Sequence, residues 1–323
     1  MKLNYIMAFK WFQFIFLVPY IFPVQNQICN GMKELCNLRI DQVTLAGSHN
    51  SGAGFNGFLY YHKVVRVPAL SCAYKNQRLS ITGQLDLGVR YFDIDVCWDT
   101  FYKPESPWTC HQRAFGGSIK AILEQINNWM NKNRNDVVVL HFNRDATDPE
   151  KAGPAVMKQI LDLWGAPKAG ELAIQTNKYA TLGQSILDNK RIYIIMAQKL
   201  TNNIADKSNY INEHDVGFTW TSKHGATQSD AKELIEEMGE NRCERETFGH
   251  FFVRYDLYLT WGLCNDDLAA LVKPFIRQGT SGCYTGTSRQ KKTVNFILVD
   301  YVDEEVVNVA NDLNKINIKN FMG

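Results

Sequence analysis

The chain has 323 residues, 45% of them hydrophobic, with 35 basic and 33 acidic side chains and a formal charge of +2. That much apolar material supports a substantial core and excludes a disordered chain, and so even a charge excludes a nucleic-acid binder. Eight cysteines, an even number, suit disulfides in an oxidising compartment.

In chain order, Lys2 and Lys10 accompany the apolar run WFQFIFLVPYIFPV, which is short for a membrane span and broken by Pro19 and Pro23. Residues 1–24 therefore read as a secretory signal peptide, with an amino-terminal anchor as the rival. Removing them takes two lysines and no acid, so the charge falls to 0. Residues 25–323 contain no repeat, linker or second long apolar segment, and read as one secreted, extracellular domain. Cys29 with Cys36 and Cys97 with Cys110 are the favoured disulfides, because each closes a short local loop. A zinc site is the alternative, without a CxxC pair to support it.

Eight strand-like runs follow: QVTLAG near Gln42, VRYFDIDV at Val89–Val96, WTCHQ near Thr109, VVVLHF at Val137–Phe142, RIYIIMA at Arg191–Ala197, VGFTW near Gly217, FFVRYDLYLTW at Phe251–Trp261 and VNFILVDY at Val294–Tyr301. Amphipathic segments lie between them, such as SIKAILEQINNWMNK with Ile119, Ile122, Leu123, Ile126 and Met130 at helical spacing. Apolar strands alternating with helices predict a parallel sheet, and eight of them a single distorted (β/α)8 barrel of the triosephosphate-isomerase type. The third and sixth candidates are weak, so the strands are expected to be irregular.

Polar residues gather where these strands end, which is where such barrels do their chemistry. The first strand breaks into small residues at His49 and Asn50. The second carries Asp93 and Asp95, which share a face because residues i and i+2 of a strand point together. Facing into a barrel, two acids need a cation: a hard divalent ion with Asn50 as a further oxygen ligand, or a basic partner such as Arg90. His111 follows Cys110, and Asn143 ends the fourth strand as a further candidate oxygen ligand. His141 reads as a hydrogen-bonded lumen residue. Asp300 emerges from the last strand, which neighbours the first in a barrel and so brings this acid within reach of His49. Phe55, Phe58, Tyr60 and Tyr61, in the loop after His49, read either as a rim that meets a membrane interface or as packed core.

The segments LAGSHNSG, LDLGVRYFDIDVCWD, CHQRAFGGSIKAILEQINNWM, NDVVVLHFN and NFILVDYVDE, in that order, resemble the X-domain region of phosphatidylinositol-specific phospholipases C and their secreted phospholipase-C-like phosphodiesterase relatives. The X-domain-like core spans about residues 40–200. The resemblance implies a phosphoric diester hydrolase acting on a phospholipid or another phosphodiester at the carboxyl ends of the strands. His49 and His111 match the family's two catalytic histidines, and Asp300 matches the aspartate that supports the first of them in bacterial members. Asn50, Asp93 and Asp95 match the Ca²⁺ ligands of eukaryotic members, with Asn143 standing where those place a glutamate. Metal-free bacterial members carry an aspartate after the first histidine and an arginine where Asp95 stands, so this chain sides with the calcium-using pattern. His49 is then assigned to the attacking hydroxyl or the phosphoryl oxygen, His111 to the leaving oxygen as general acid, and Lys199 to a phosphate or headgroup contact. The competing expectation is a secreted barrel, weak or inactive in catalysis, that binds a phosphorylated headgroup or a protein.

Overall fold

The computed structural model describes residues 27–53, 60–61, 65–66, 72–99, 105–111, 114–144, 148–219, 223–237, 252–260, 264–285 and 293–323. The expected signal peptide and the aromatic positions Phe55 and Phe58 lie outside them, as does Cys243.

A parallel ladder organises the chain. Its strands are β1 (Leu45–Ser48), β2 (Tyr91–Asp99), β5 (Val138–Arg144) and β6 (Lys190–Met196) on one side. Between β2 and β5 the chain forms β3 (Ser106–His111) and β4 (Ala114–Ser118). The short β7 (Ile211–Asn212) extends β6, and β10 (Phe296–Val299) pairs with the other edge of β1, followed by β9 (Phe252–Leu257) and β8 (Val216–Thr219). Among the described residues no ladder joins β7 to β8, so the distorted α/β barrel is left open at that seam.

The third expected barrel strand is corrected. β3 runs antiparallel to the outer half of β2, with Val96 opposite Thr109 and Asp99 opposite Ser106, and then turns back into β4. A parallel return needs a crossover of about a dozen residues, and the link between Asp99 and Ser106 is too short for one. The barrel position goes instead to β7, whose two residues are too few to be read as a strand from sequence.

Alternation sorts the side chains into two cores. Phe92, Ile94 and Val96 of β2 face outward onto helices, among them α2 (Ile119–Lys132), which buries its apolar face of Ile119, Ile122, Leu123, Ile126 and Met130 as its spacing predicts. Ser118 caps α2 by accepting a hydrogen bond from the Ala121 N–H. Tyr91, Val139, Tyr193, Phe252 and Phe296 face inward and fill the lower lumen, where Leu35, Leu38, Ile40 and Val43 of the amino-terminal segment close the floor. Each such side chain contributes about 1.5–3 kcal/mol by leaving water. Filling the floor with apolar groups confines the polar groups to the opposite, carboxyl end of the strands.

Among the described residues three disulfides join Cys29 to Cys36, Cys97 to Cys110 and Cys72 to Cys264. The first two are the local pairs expected from spacing. The third spans 192 residues and fastens the segment before α1 (Ile81–Leu87) to the start of a helix at Asn265–Val272. Among the described residues no helix is long and apolar enough to cross a membrane.

Candidate active site

The strand register builds the site as one row of residues. Ser48 is level with Phe92 and Val299, and Val299 with Leu257. The next residue on each strand is His49, Asp93, Asp300 and Tyr258, and His141 is level with Asp93 on β5. Five strands thus deliver five polar or aromatic side chains at one height, just above the apolar floor.

His49 is held from several sides. Its N–H donates to Val299 O at 2.9 Å, and its carbonyl accepts from Gln77 Nε2 at 2.7 Å. Its Nδ1 lies 2.8 Å from Asp300 Oδ1, and its ring stacks on Tyr258 with centroids 3.8 Å apart. A carboxylate beside Nδ1 selects the tautomer with the proton there and leaves Nε2 for chemistry. Burial opposes charge on His49, but the charge and hydrogen bond of Asp300, backed by Asp93 and Asp95, outweigh it and push the pKa up from 6.5 to about 9.

His111 reaches the same mouth through the β2–β3 hairpin, which the Cys97–Cys110 disulfide ties. Its ring centroid is 6.4 Å from that of His49, and its Nδ1 lies 3.3 Å from Tyr74 O. Burial, with the positive charge of His49, holds its pKa below the ordinary value. The expected His49, His111 and Asp300 are therefore brought together around one opening. Close approach of the first strand's turn to the hairpin requires Gly52, where an added Cβ would fall 2.5 Å from the Thr109 side chain.

Asn76 and Gln77 are structural members of the site that sequence reasoning missed. Asn76 Nδ2 donates to Asp300 Oδ1 at 2.8 Å, its Oδ1 accepts from Asn50 Nδ2 at 3.3 Å, and its carbonyl accepts from the Tyr301 N–H at 2.7 Å. Gln77 spans His49 O and Val299 O with Nε2 and accepts from the Val302 N–H. Both lie on an irregular segment, where no periodicity marks a residue. Asn76→Asp would set a second carboxylate against Asp300 and is expected to destabilise the chain more than Asn76→Ala, whose loss of a charge-assisted bond costs about 1.5–3 kcal/mol. Denaturant unfolding checks both, and wild-type stability in Asn76→Asp would remove Asn76 from this role.

The acids of β2 meet an unexpected partner. Arg254, 5% exposed on β9, places Nη1 3.0 Å from Asp93 Oδ1 while Asp256 grips its other side, Nε to Oδ1 at 2.6 Å and Nη2 to Oδ2 at 3.1 Å. Burial works against ionisation of Asp93, but Arg254, His49 and His141 outweigh it and hold the carboxyl below its usual range. Arg90, the partner weighed from sequence, pairs with Asp136 at 2.9 Å instead. His141 is the fully buried lumen residue anticipated, 2.6 Å from Tyr91 Oη and 3.3 Å from both Arg254 Nη1 and Glu213 Oε1. Arg254, Asp256 and Tyr258 alternate in VRYDLYL, and that i, i+2 pattern inside an apolar strand is the signal from which they were readable.

The calcium set implied by the resemblance is Asn50, Asp93, Asp95 and Asn143, and their placement decides whether it fits. Asp93 Oδ1 accepts from Arg254 and from Asn143 Nδ2, and its Oδ2 from the Asn50 N–H at 3.3 Å. Asn143 thus turns its amide nitrogen to the carboxylate, as charge requires, and is placed as a donor rather than an oxygen ligand. Asn50 Oδ1 is a buried acceptor without a donor, the one feature that invites a cation, and Asp95 is half-buried farther along β2. A Ca²⁺ ion wants about six to eight oxygens. With Asp93 committed and Asn143 reversed, the residues do not fit a resident calcium ion. Lys199, expected as a phosphate contact, stands exposed on the short helix Gln198–Thr201, and the cation that enters the row of polar residues is Arg254.

An α/β barrel whose mouth holds an aspartate-backed histidine opposite a second histidine defines a protein equipped to move protons at a bound polar group. The PI-PLC X family model (PI-PLC X 1) matches residues 35–237, and the chain belongs to this family of PI-PLC X domain proteins. It is 29% identical over 186 residues to PI-PLC X domain-containing protein 1 of Arthroderma benhamiae, covering 55% of this chain and 54% of that protein. The chain therefore spans about half the length of that relative. It is 23% identical over 247 residues to mouse PI-PLC X domain-containing protein 3, covering 72% of this chain and 68% of the mouse protein. The fold is similar to that of phosphatidylinositol-specific phospholipase C from Listeria monocytogenes, with TM-score 0.61 at 13% identity over 87% of this chain and 97% of the bacterial one. A Staphylococcus aureus phosphatidylinositol-specific phospholipase C variant gives TM-score 0.56 at 15% identity, covering 86% and 96% of the two chains.

Proposed function

We propose that the protein is a secreted phosphoric diester hydrolase that cleaves inositol phospholipids or related phosphodiesters by acid–base catalysis between His49 and His111. The observation that carries this reading is the His49–Asp300 pair beside His111, with the two imidazole centroids 6.4 Å apart at the carboxyl ends of the strands. The family and the bacterial fold relatives support the substrate class, and the three disulfides support an extracellular site of action.

The chemistry follows from the two environments. Asp300 makes His49 the stronger base, suited to take the proton of the attacking hydroxyl. Burial and the neighbouring charge make His111, once protonated, the stronger acid, suited to protonate the leaving oxygen. Asn76 and Gln77 fix His49 for that transfer, and Tyr258 covers one face of its ring. In an inositol lipid the neighbouring hydroxyl attacks, which leaves a cyclic phosphate as the first product.

Turnover requires the histidine pair to hold one proton between them, whichever nitrogen carries it at rest. The rate is therefore expected to follow a bell in pH. It falls in acid as His111 gains a proton below 6.5, and in base as His49 loses its proton near 9. Asp300→Asn removes the largest of the charges that raise the His49 pKa and leaves the burial that lowers it, so the basic limb moves to lower pH. Assays of the purified chain on inositol phospholipid vesicles and on soluble phosphodiesters across pH test both statements. No turnover on any of these substrates would overturn the reading, and headgroup binding without turnover would favour a binding role.

A further inference from the structure

We propose that Arg254 is the resident cation of this site, held by Asp256 against Asp93, and that the protein keeps its site charge-balanced without a divalent metal ion. The position of the guanidinium is built by the fold. Arg254 starts on the row of Phe296 and Leu45, and Asp256 on the row of Leu298, Gly47 and Tyr91, so the arginine side chain climbs past Asp256 to meet Asp93 above. Asp256 takes two N–H donors in a fork, which fixes the plane of the guanidinium and aims Nη1 at Asp93 Oδ1, 3.0 Å away. Tyr91 Oη and His141 Nδ1, each 3.3 Å from Nη1, close the other directions.

An arginine stays charged at every pH a protein meets, so this countercharge cannot be titrated away. A divalent ion on Asp93 would have to sit beside a fixed positive group that repels it and compete with that group for the carboxylate. Drawing the carboxylate away from Arg254 would leave a buried guanidinium with one carboxylate in place of two, in surroundings where an underpaired charge is costly. Arg254 is buried beneath Asp93 and acts through it, which makes it a positioning residue. It holds Asp93 ionised, and Asp93 in turn accepts from the Asn50 N–H and fixes the turn that carries His49. The acid pair that reads as a metal cage in sequence is divided by this contact: Asp93 serves the arginine, and Asp95 lies nearer the mouth.

The test uses the full chain with its disulfides intact, stripped of metal by a chelator and then titrated with Ca²⁺. Calorimetry is expected to show no saturable heat, and the melting temperature is expected not to rise with calcium. Only the activity arm rests on the phosphodiesterase reading: there, turnover on inositol phospholipid vesicles is expected to be the same with and without chelator. Arg254→Met frees Asp93 from its cation and is expected to acquire a calcium-dependent rise in melting temperature. Where that variant does not fold, calorimetry on the wild-type chain decides alone. Saturable calcium binding to the wild-type chain that Asp95→Asn abolishes would overturn the proposal, whereas binding unchanged by Asp95→Asn lies elsewhere and leaves Arg254 as the site's cation. A chain that turns over no phosphodiester, yet shows no calcium binding, would fail the functional reading while upholding this one.

Discussion

His49→Ala and His111→Ala are each expected to lower kcat/KM by about 10²–10⁴-fold, the usual contribution of a positioned general acid or base. The two losses should not multiply, because either histidine without the other leaves proton transfer half complete. His111→Ala removes the half-buried ring beside Tyr74, and His49→Ala the ring stacked on Tyr258, so near-ultraviolet circular dichroism must accompany the kinetics. The Tyr258 ring and the Gln77 bond to the His49 carbonyl remain in the His49 variant, which preserves the turn. Near-native turnover in a folded variant would remove that histidine from the chemistry. A separate distinction comes from Asp300→Asn, which keeps the shape of the pair and should shift the basic limb of the pH profile rather than abolish turnover.

Asp256→Ala is expected to destabilise the protein by about 3–5 kcal/mol, the range for breaking a buried ion pair from one side. Asp256 is 2% exposed and supplies both oxygens of the fork on Arg254, so its loss leaves the Nε and Nη2 hydrogens of a buried guanidinium without those acceptors. Asp256→Asn retains one acceptor oxygen and should fall between the two. Urea unfolding with the disulfides intact measures the difference. A loss below about 1 kcal/mol, the scale of an exposed pair, would show that water reaches Arg254 and that the pair is not sealed in the lumen.

The readable part of the fold was whatever repeats along the chain. The apolar runs at Val137–Phe142 and Arg191–Ala197 became β5 and β6 because a strand buried on both faces is continuously apolar. The spacing of Ile119, Ile122 and Ile126 marked α2 for the same local reason. WTCHQ misled because a run of five residues looks alike in a barrel strand and in a hairpin arm, and only the pairing of this segment with Val96–Asp99 distinguishes them. The helix Pro149–Trp164 escaped the reading, since its Pro149, Gly153 and Pro154 look like loop residues in sequence.

Within the site, His49 and Asp300 were legible because each stands at an abrupt break between an apolar run and polar residues, and because the first and last strands of a barrel are neighbours, whereas His111 was legible only through the family resemblance. Asp93 and Asp95 were legible as a pair on one face for the same local reason, and the need for a positive partner followed from burial alone. Which positive partner they meet was not. Arg254 is 161 residues from Asp93 in the chain, and its own neighbours, Tyr255 and Val253, give no hint of where its side chain ends. The sequence by itself determined the alternation of strands and helices, the even cysteine set and the polar residues at strand ends, since these depend on spacing within a few residues. The tertiary structure alone decided that Asp93 faces a guanidinium, that Asn143 gives a hydrogen instead of an oxygen, and that Asn76 braces Asp300, because a charge's partner depends on distances set by folding rather than by position along the chain.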